Sequence, residues 1–229
     1  MATTWNPSDL GANITLSNGN LTAAFGSGAY TSVRSTNSPA KTTGKWHAEF
    51  TINVDIGDNP LVGIMDGSAN LSSYAGNDPH GSGMDLVLSV ANDVYVFNGG
   101  TAMHPFPFTP AQGDVIALEV DIDNGLGWWQ DVTQGTGWTN SDLTMTGNPG
   151  AGTGGIAFTA SPTGGIMLAG SGWDNMATIT LNPGPTFSGT VSSGFSPWDA
   201  AAATVPWGWE VAGPLIVPRG FSAAGGSPT

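Results

Sequence analysis

Hydrophobic and polar positions along this chain alternate in short runs and never sustain a helical period. Thr51-Ile52-Asn53-Val54-Asp55-Ile56 changes character at every step, the period of two expected of a strand with one buried face. Glu119-Val120-Asp121-Ile122-Asp123 repeats the pattern inside the Gly- and Pro-free stretch 114–124. Elsewhere Gly and Pro recur so densely that the intervals between them measure the possible elements. The longest interval, Met84–Asn98, divides at Asn92-Asp93 into strands 84–90 and 94–98. Asn18-Gly19 joins Ile14–Ser17 to Asn20–Phe25, and Asn124-Gly125 joins 115–123 to 126–132. Both dipeptides supply the positive φ that a tight hairpin turn requires. Turn signals recur every eight to twelve residues or so and leave about a dozen short strands, which predicts an all-β sandwich or barrel.

The pattern spans residues 1–199 and then stops. Ala200-Ala201-Ala202-Ala203 gives way to Pro206-Trp207-Gly208-Trp209, Pro214, Pro218 and a Gly/Ser/Pro end. Residues 200–229 are therefore read as an irregular C-terminal arm outside the β domain. The arm carries Trp207, Trp209, Leu215 and Ile216 against only two charges, Glu210 and Arg219. Burial of each large apolar side chain is worth roughly 1.5–3 kcal/mol, so the arm is expected to dock. It is expected to reach another subunit, with Trp207 and Trp209 as its anchors and Leu215 and Ile216 as further assembly residues.

Composition narrows the function classes. Thirty-five Gly, 16 Pro and only 21 charged side chains in 229 residues exclude a mostly helical protein. The net charge is −13, and the only cations are Arg34, Lys41, Lys45 and Arg219. Phosphate backbones and anionic membranes need a cationic patch, so nucleic-acid and membrane partners are not expected. With no Cys there are no disulfides or thiolate metal sites. Met1-Ala2-Thr3-Thr4-Trp5-Asn6-Pro7 has neither the cationic nor the apolar region of a secretory signal. The expectation is a protein made in a cytoplasm, although the composition is closer to that of an extracellular adhesin.

Three groups of residues invite a chemical reading. Glu119, Asp121 and Asp123 fall at i, i+2 and i+4 of one strand, on one face at steps of about 6.6–7 Å, a geometry open to carboxylate-pair glycoside hydrolysis. The alternative is a solvated acidic face, with Asp123 shaping the Asn-Gly turn. His47, His80 and His104 have no paired-metal spacing. The acidic loops at Asp55/Asp58 and Asp66/Asp78 lack an ordered Ca²⁺ pattern, so neither metal nor cofactor is expected. Aromatics say more. Trp128 and Trp129 are adjacent on a strand and must face opposite sides, one into the core and one outward. Trp129 is placed with the contact residues, together with Tyr74, Trp138 and Trp173, which lie in Gly- and Asn-rich loops. Exposed rings among Asn, Asp and Ser suit sugars and peptide anchors equally well.

Several stretches taken in order resemble the SPRY family in its bacterial and phage version. They are Trp5-Asn6-Pro7-Ser8-Asp9, the hairpin Asn13–Leu21, Ser32-Val33-Arg34, and Gly44-Lys45-Trp46-His47-Ala48-Glu49-Phe50. Val62-Gly63-Ile64, Leu71-Ser72-Ser73-Tyr74-Ala75-Gly76, Gly113-Asp114-Val115-Ile116 and Asp121–Gly125 with Trp128 follow. Gly147-Asn148-Pro149, Gly152-Thr153-Gly154-Gly155 and Gly194-Phe195-Ser196-Pro197-Trp198 complete the match over residues 5–199. The usual aromatic near Gly81-Ser82-Gly83-Met84 is missing, and these glycines are read as loop glycines. The resemblance implies a concanavalin-A-like jelly-roll sandwich of two antiparallel sheets that binds and does not catalyse. The expected role is a structural or adhesion subunit of a phage or phage-like particle: a tail fibre, head spike or decoration component. Such a subunit would be located in the virion, would contact other virion proteins as a homo-oligomer, and could bind host surface glycan. Two other readings are a glycan-degrading enzyme using Glu119 and Asp121, and a cytosolic peptide-binding SPRY adaptor.

Overall fold

The computed structural model describes residues 2–26, 28–38, 40–53, 59–86, 93–173 and 177–200. The C-terminal arm with Trp207, Trp209, Leu215 and Ile216 lies outside them, as do the Asn92-Asp93 turn's first residue and the second half of the 51–56 alternation. No helix among the described residues is long and apolar enough to cross a membrane.

Two sheets face each other across one core. The first joins β1 (Trp5–Leu10), β4 (Thr31–Ser35), β13 (Met167–Gly172), β6 (Leu61–Met65), β7 (Gly81–Asp85), β8 (Val94–Asn98) and β9 (Thr101–Phe106) in that order. The second runs β12 (Ile156–Ala157), β11 (Leu126–Asp131), β10 (Val115–Asp121), β5 (Lys45–Ile52), β14 (Thr178–Asn182), β3 (Thr22–Phe25) and β2 (Ile14–Ser17). A two-residue strand, β15 (Ser196–Pro197), lies parallel to β5, while all the other pairings are antiparallel. The expected antiparallel sandwich is thus the observed architecture.

Strand periodicity delivers the core. Ala48, Phe50 and Ile52 of β5, Ile116, Leu118 and Val120 of β10, and Val94 and Val96 of β8 all enter the same buried cluster. Both predicted Asn-Gly hairpins form, with Asn18 at φ 52°, Gly19 at 63° and Gly125 at 66°.

Two expectations need correction. Trp129 is not a contact residue: its ring is fully buried in the core, and its indole N–H donates to the carbonyl of Val62 in the opposite sheet at 3.0 Å. Trp128 takes the outer face, as strand alternation demands of the pair, but it too is fully buried. Its N–H donates to Thr153 O, and its ring meets Phe195 edge-on. Nor is Gly81-Ser82-Gly83 a loop. It opens strand β7, where Gly83 pairs with Gly63. A Cβ on Gly63 would sit 2.0 Å from Ser82 O, and one on Gly83 would sit 2.8 Å from Ala75. Gly63 admits the close approach of β7, and Gly83 lets residues 66–80 fold down onto the outer face of this sheet, where Met65, Ala69, Ala75 and Ala169 form a small second core.

One outward-facing carboxylate works against stability. Asp85 is 5% exposed, and among the described residues its Oδ1 has no hydrogen-bond partner. Burial, reinforced by the charge of Asp93, pushes its pKa up to about 7. Because the folded value exceeds the unfolded one of about 4, the native state holds the extra proton between these values. This group's contribution therefore falls as pH rises from about 4 through about 7.

Two stability predictions follow from this packing. Trp129→Phe removes the bridge between the sheets and should cost about 1–3 kcal/mol in denaturant unfolding; an unchanged midpoint would show that the bond carries nothing. Asp85→Asn should stabilise the chain by about 2–4 kcal/mol at pH 8, and by about 1 kcal/mol at pH 4.5. A gain that does not vary with pH would contradict the buried-carboxylate account.

Candidate functional site

Two outer faces carry the chemistry. On the eight-stranded sheet, Lys45, His47 and Glu49 alternate with the core residues of β5, and Glu119 and Asp121 do so on β10. The register sets Glu119 opposite His47 and Asp121 opposite Lys45. Glu119 and Asp121 therefore share a face, as the sequence suggests, but that face is not solvated: His47, Glu49, Glu119 and Asp121 are all fully buried. The cover is the segment 183–199, a strap that crosses the sheet. Glu49 accepts the N–H groups of Ser188 at 2.9 Å and Gly189 at 2.6 Å, and Glu119 accepts that of Ser192 at 2.7 Å.

His47 lies between the two glutamates. Its Nδ1 is 3.0 Å from Glu119 Oε1, whereas Nε2 is 3.9 Å from Glu49 Oε1, too long for a hydrogen bond. Burial disfavours the imidazolium, but the two carboxylates outweigh it and raise the histidine's pKa. Burial likewise opposes the charge on Glu49, yet His47 and the strap N–H groups hold its pKa below the usual range. Among the described residues His47 Nε2 and Glu119 Oε2 have no hydrogen-bond partner. Phe187 of the strap meets the His47 ring edge-on at 4.4 Å. Asp121 is occupied elsewhere. It pairs with Lys45 at 3.0 Å and accepts from the backbone and side chain of Asn124, which together overcome burial and lower its pKa. Asp123 lies past the end of β10 and accepts the N–H of Gly44.

Beside the strap a cleft of about 430 Å³ opens between Gln130, Val132 and Trp138 on one side and Ser188, Gly189, Thr190 and Ser192 on the other. Trp138 is half-buried, its ring 6.4 Å from that of His47 at 83°.

The other candidate residues gather on the opposite sheet. Tyr95 and Phe97 of β8 point away from the core that holds Val94 and Val96. Trp173, just past β13, meets Tyr30 at 4.7 Å; Tyr30 meets Tyr74 at 4.7 Å; and Tyr74 meets Phe97 at 4.9 Å. Phe97 then stacks on Tyr95, and Tyr95 on His104 at 4.4 Å. The result is a ribbon of six rings, none of them fully buried, ending in Trp173 at 49% exposure. Asp85 lies directly across the strands from Tyr95. Burial and the Asp85 charge push the Tyr30 phenol up to about 12. A hollow of about 360 Å³ opens beside Tyr30, bounded by Ala12, Gly28, Thr31 and Ser72.

The sequence-predicted contact residues thus separate. Tyr74 and Trp173 join one surface, Trp138 stands alone on the other, and Trp129 belongs to neither. Tyr30, Tyr95, Phe97 and His104 were missed, although Val94-Tyr95-Val96-Phe97 is apolar on both faces of a strand and so announces an outer aromatic surface. Metal-ligand spacing does not reveal the buried His47–Glu49–Glu119 group, which is assembled by the register of β5 against β10. Among the described residues no group of His, Asp and Glu is arranged to hold a metal ion.

No family model and no curated protein matches the chain. Solved structures do. The TRIM65 PSpry domain superposes with a TM-score of 0.54 at 13% identity, covering 79% of this chain and 92% of that one. A human SPRY domain superposes with a TM-score of 0.52, also at 13% identity, covering 76% of this chain and 98% of that one. At such identities the likeness speaks to architecture, and the sandwich described here is SPRY-like in fold.

Proposed function

We propose that this chain is a non-catalytic binding module, acting as a structural or adhesion subunit of a phage or phage-like particle. The observation that carries the binding reading is the aromatic ribbon Trp173–Tyr30–Tyr74–Phe97–Tyr95–His104. Half-exposed rings fixed by their neighbours lose little side-chain freedom on binding, which makes them efficient anchors for a protein partner. The virion setting rests on the sequence: an acidic, Gly-rich, adhesin-like composition and an apolar arm suited to subunit contact. Neighbouring virion proteins, including further copies of the chain, are the proposed partners, with host surface glycan as a second ligand.

Burial weighs against the hydrolase alternative. A glycosidase needs two carboxyl groups facing substrate about 5–10 Å apart. Here Glu119 and Asp121 have no exposed surface, and both are committed to internal partners. A peptide-binding adaptor would use the same ribbon, and its partner alone would distinguish it from a virion subunit.

Three outcomes are expected. In cells producing particles, the tagged full-length chain should co-sediment with them, and Trp173→Ala combined with Tyr74→Ala should reduce its recovery at least tenfold while leaving the thermal unfolding midpoint nearly unchanged. Undiminished recovery would remove the ribbon from the assembly. Deleting residues 204–229 should also abolish co-sedimentation, and normal incorporation of that truncation would end the virion-arm reading. Incubation with host capsule or cell-wall polysaccharide should release no reducing ends. Release that Glu119→Gln abolishes would establish the enzyme instead.

A further inference from the structure

We propose that the cleft between Trp138 and the strap is a binding site for one neutral saccharide unit. This rests on the reading of the chain as a binding module and assigns the glycan to a place far from the aromatic ribbon, on the outer face of the other sheet.

The walls select the ligand. At about 430 Å³ the cleft is within the range of small-ligand sites. One wall is the flat indole of Trp138, which can stack against the C–H face of a pyranose. The opposite wall is formed by Ser188, Thr190 and Ser192, whose hydroxyls can each both donate and accept. On the Trp138 side, Gln130 spends one side-chain N–H on Thr136 O and keeps its amide oxygen as an acceptor. Polar groups thus face an aromatic plane across a gap of sugar size, and Val132 is the one aliphatic lining residue.

Charge excludes the alternatives. No ionisable side chain lines the cleft, so a cation would find no carboxylate to pair with. An anion would find no cation, and it would lie over Glu49 and Glu119, whose two carboxylates are balanced by His47 alone. The strap's N–H groups that could otherwise form an anion nest point inward, at 2.6–2.9 Å from those carboxylates. An apolar ligand would strip water from three hydroxyls without replacing their hydrogen bonds. A neutral polyol satisfies every wall.

The site is also preorganised. Three charge-assisted hydrogen bonds pin the strap. Gly189 lets it lie close to the sheet, since a Cβ there would come within 2.9 Å of Val132 and 3.2 Å of Glu49. The Trp138 ring rests edge-on against His47. Little ordering is left for the ligand to induce.

The test uses the full chain and a panel of methyl glycosides of glucose, galactose, mannose and N-acetylglucosamine, read by saturation-transfer NMR and by tryptophan fluorescence. At least one should bind in the millimolar range. Trp138→Ala should weaken it at least tenfold, and Trp138→Tyr, which keeps a stacking face, less than fivefold. Thr190→Val preserves the shape of an exposed residue while removing its hydroxyl, and it should weaken binding severalfold even if Trp138→Ala disturbs folding. Methyl glucuronide should bind at least fivefold more weakly than methyl glucoside. The absence of binding by all four neutral glycosides, full binding by both Trp138→Ala and Thr190→Val, or equal binding of the glucuronide would overturn the assignment. Trp173→Ala should leave glycoside binding intact. Loss of co-sedimentation in ribbon variants together with silent glycosides would refute this site while sparing the binding-module reading.

Discussion

Two glutamates that reach outward from the eight-stranded sheet organise everything on that face. Glu49 takes the N–H groups of residues 139 and 140 positions downstream, and Glu119 takes one 73 positions downstream. Backbone donors on ionised carboxylates are among the stronger hydrogen bonds a protein makes, and here they are buried, so their loss would leave unpaired charge. From these three bonds the strap acquires its course. Phe187 settles on His47, Phe195 covers Trp128, Ser196 and Pro197 run beside β5, and Trp198 enters the core. Asp199 then accepts the N–H of Thr3, so the end of the sandwich is tied to its beginning. The cleft beside Trp138 exists because the strap is held at this height.

The scarcity of cations gives the other charges their character. Arg34 is bidentate to Asp9 and also reaches the carbonyl of Asp66, Lys45 pairs with buried Asp121, and Lys41 sits 3.6 Å above the Trp46 ring. All three described cations are thus spent inside the fold, and the buried carboxylates Glu49 and Asp85 must rely on a histidine and backbone donors or hold a proton. Glu49 takes the first course, since its pKa is lowered by His47 and strap N–H groups. Asp85 takes the second, its pKa raised by burial. The two sheets therefore respond oppositely to acid: protonation weakens the strap and relieves the strain at Asp85.

Much of the fold could be read from the chain because strand alternation and Asn-Gly turns act locally. Val120 and Ile122 announce their burial next to Glu119 and Asp121, and Gly19 and Gly125 announce their hairpins. What could not be read depends on elements brought together from far apart. The burial of Glu119 is decided by Ser192, and nothing near residue 119 records that contact. Trp128 and Trp129 illustrate the limit: alternation requires them to part, but which one enters the core depends on the register of β11 against β10 and on the carbonyl of Val62. Gly81 and Gly83 look like loop residues in isolation. They are strand residues because residues 66–80 must pass close over them. The candidate site was legible only in its loop aromatics, Tyr74, Trp138 and Trp173, and not in the strand residues that complete each surface.

The two surfaces differ in how they can evolve a partner. The ribbon is assembled from β8, β9, the loop 66–80 and the residues flanking β4 and β13, so its rings are fixed by strands on several sides. It offers an extended run of rings with the polar edges of its phenols, indole and imidazole dispersed among them, which suits a protein partner. The cleft is the converse, built from one strand edge, one loop and the strap, with several unspent hydroxyls around a single ring. A change within the strap can redraw its wall while Glu49 and Glu119 still hold the backbone, because they bind N–H groups and not side chains. Ser188, Thr190 and Ser192 are therefore free to vary in identity without loosening the strap. The core sandwich fixes where the ligand lies, and the strap's side chains decide what it is.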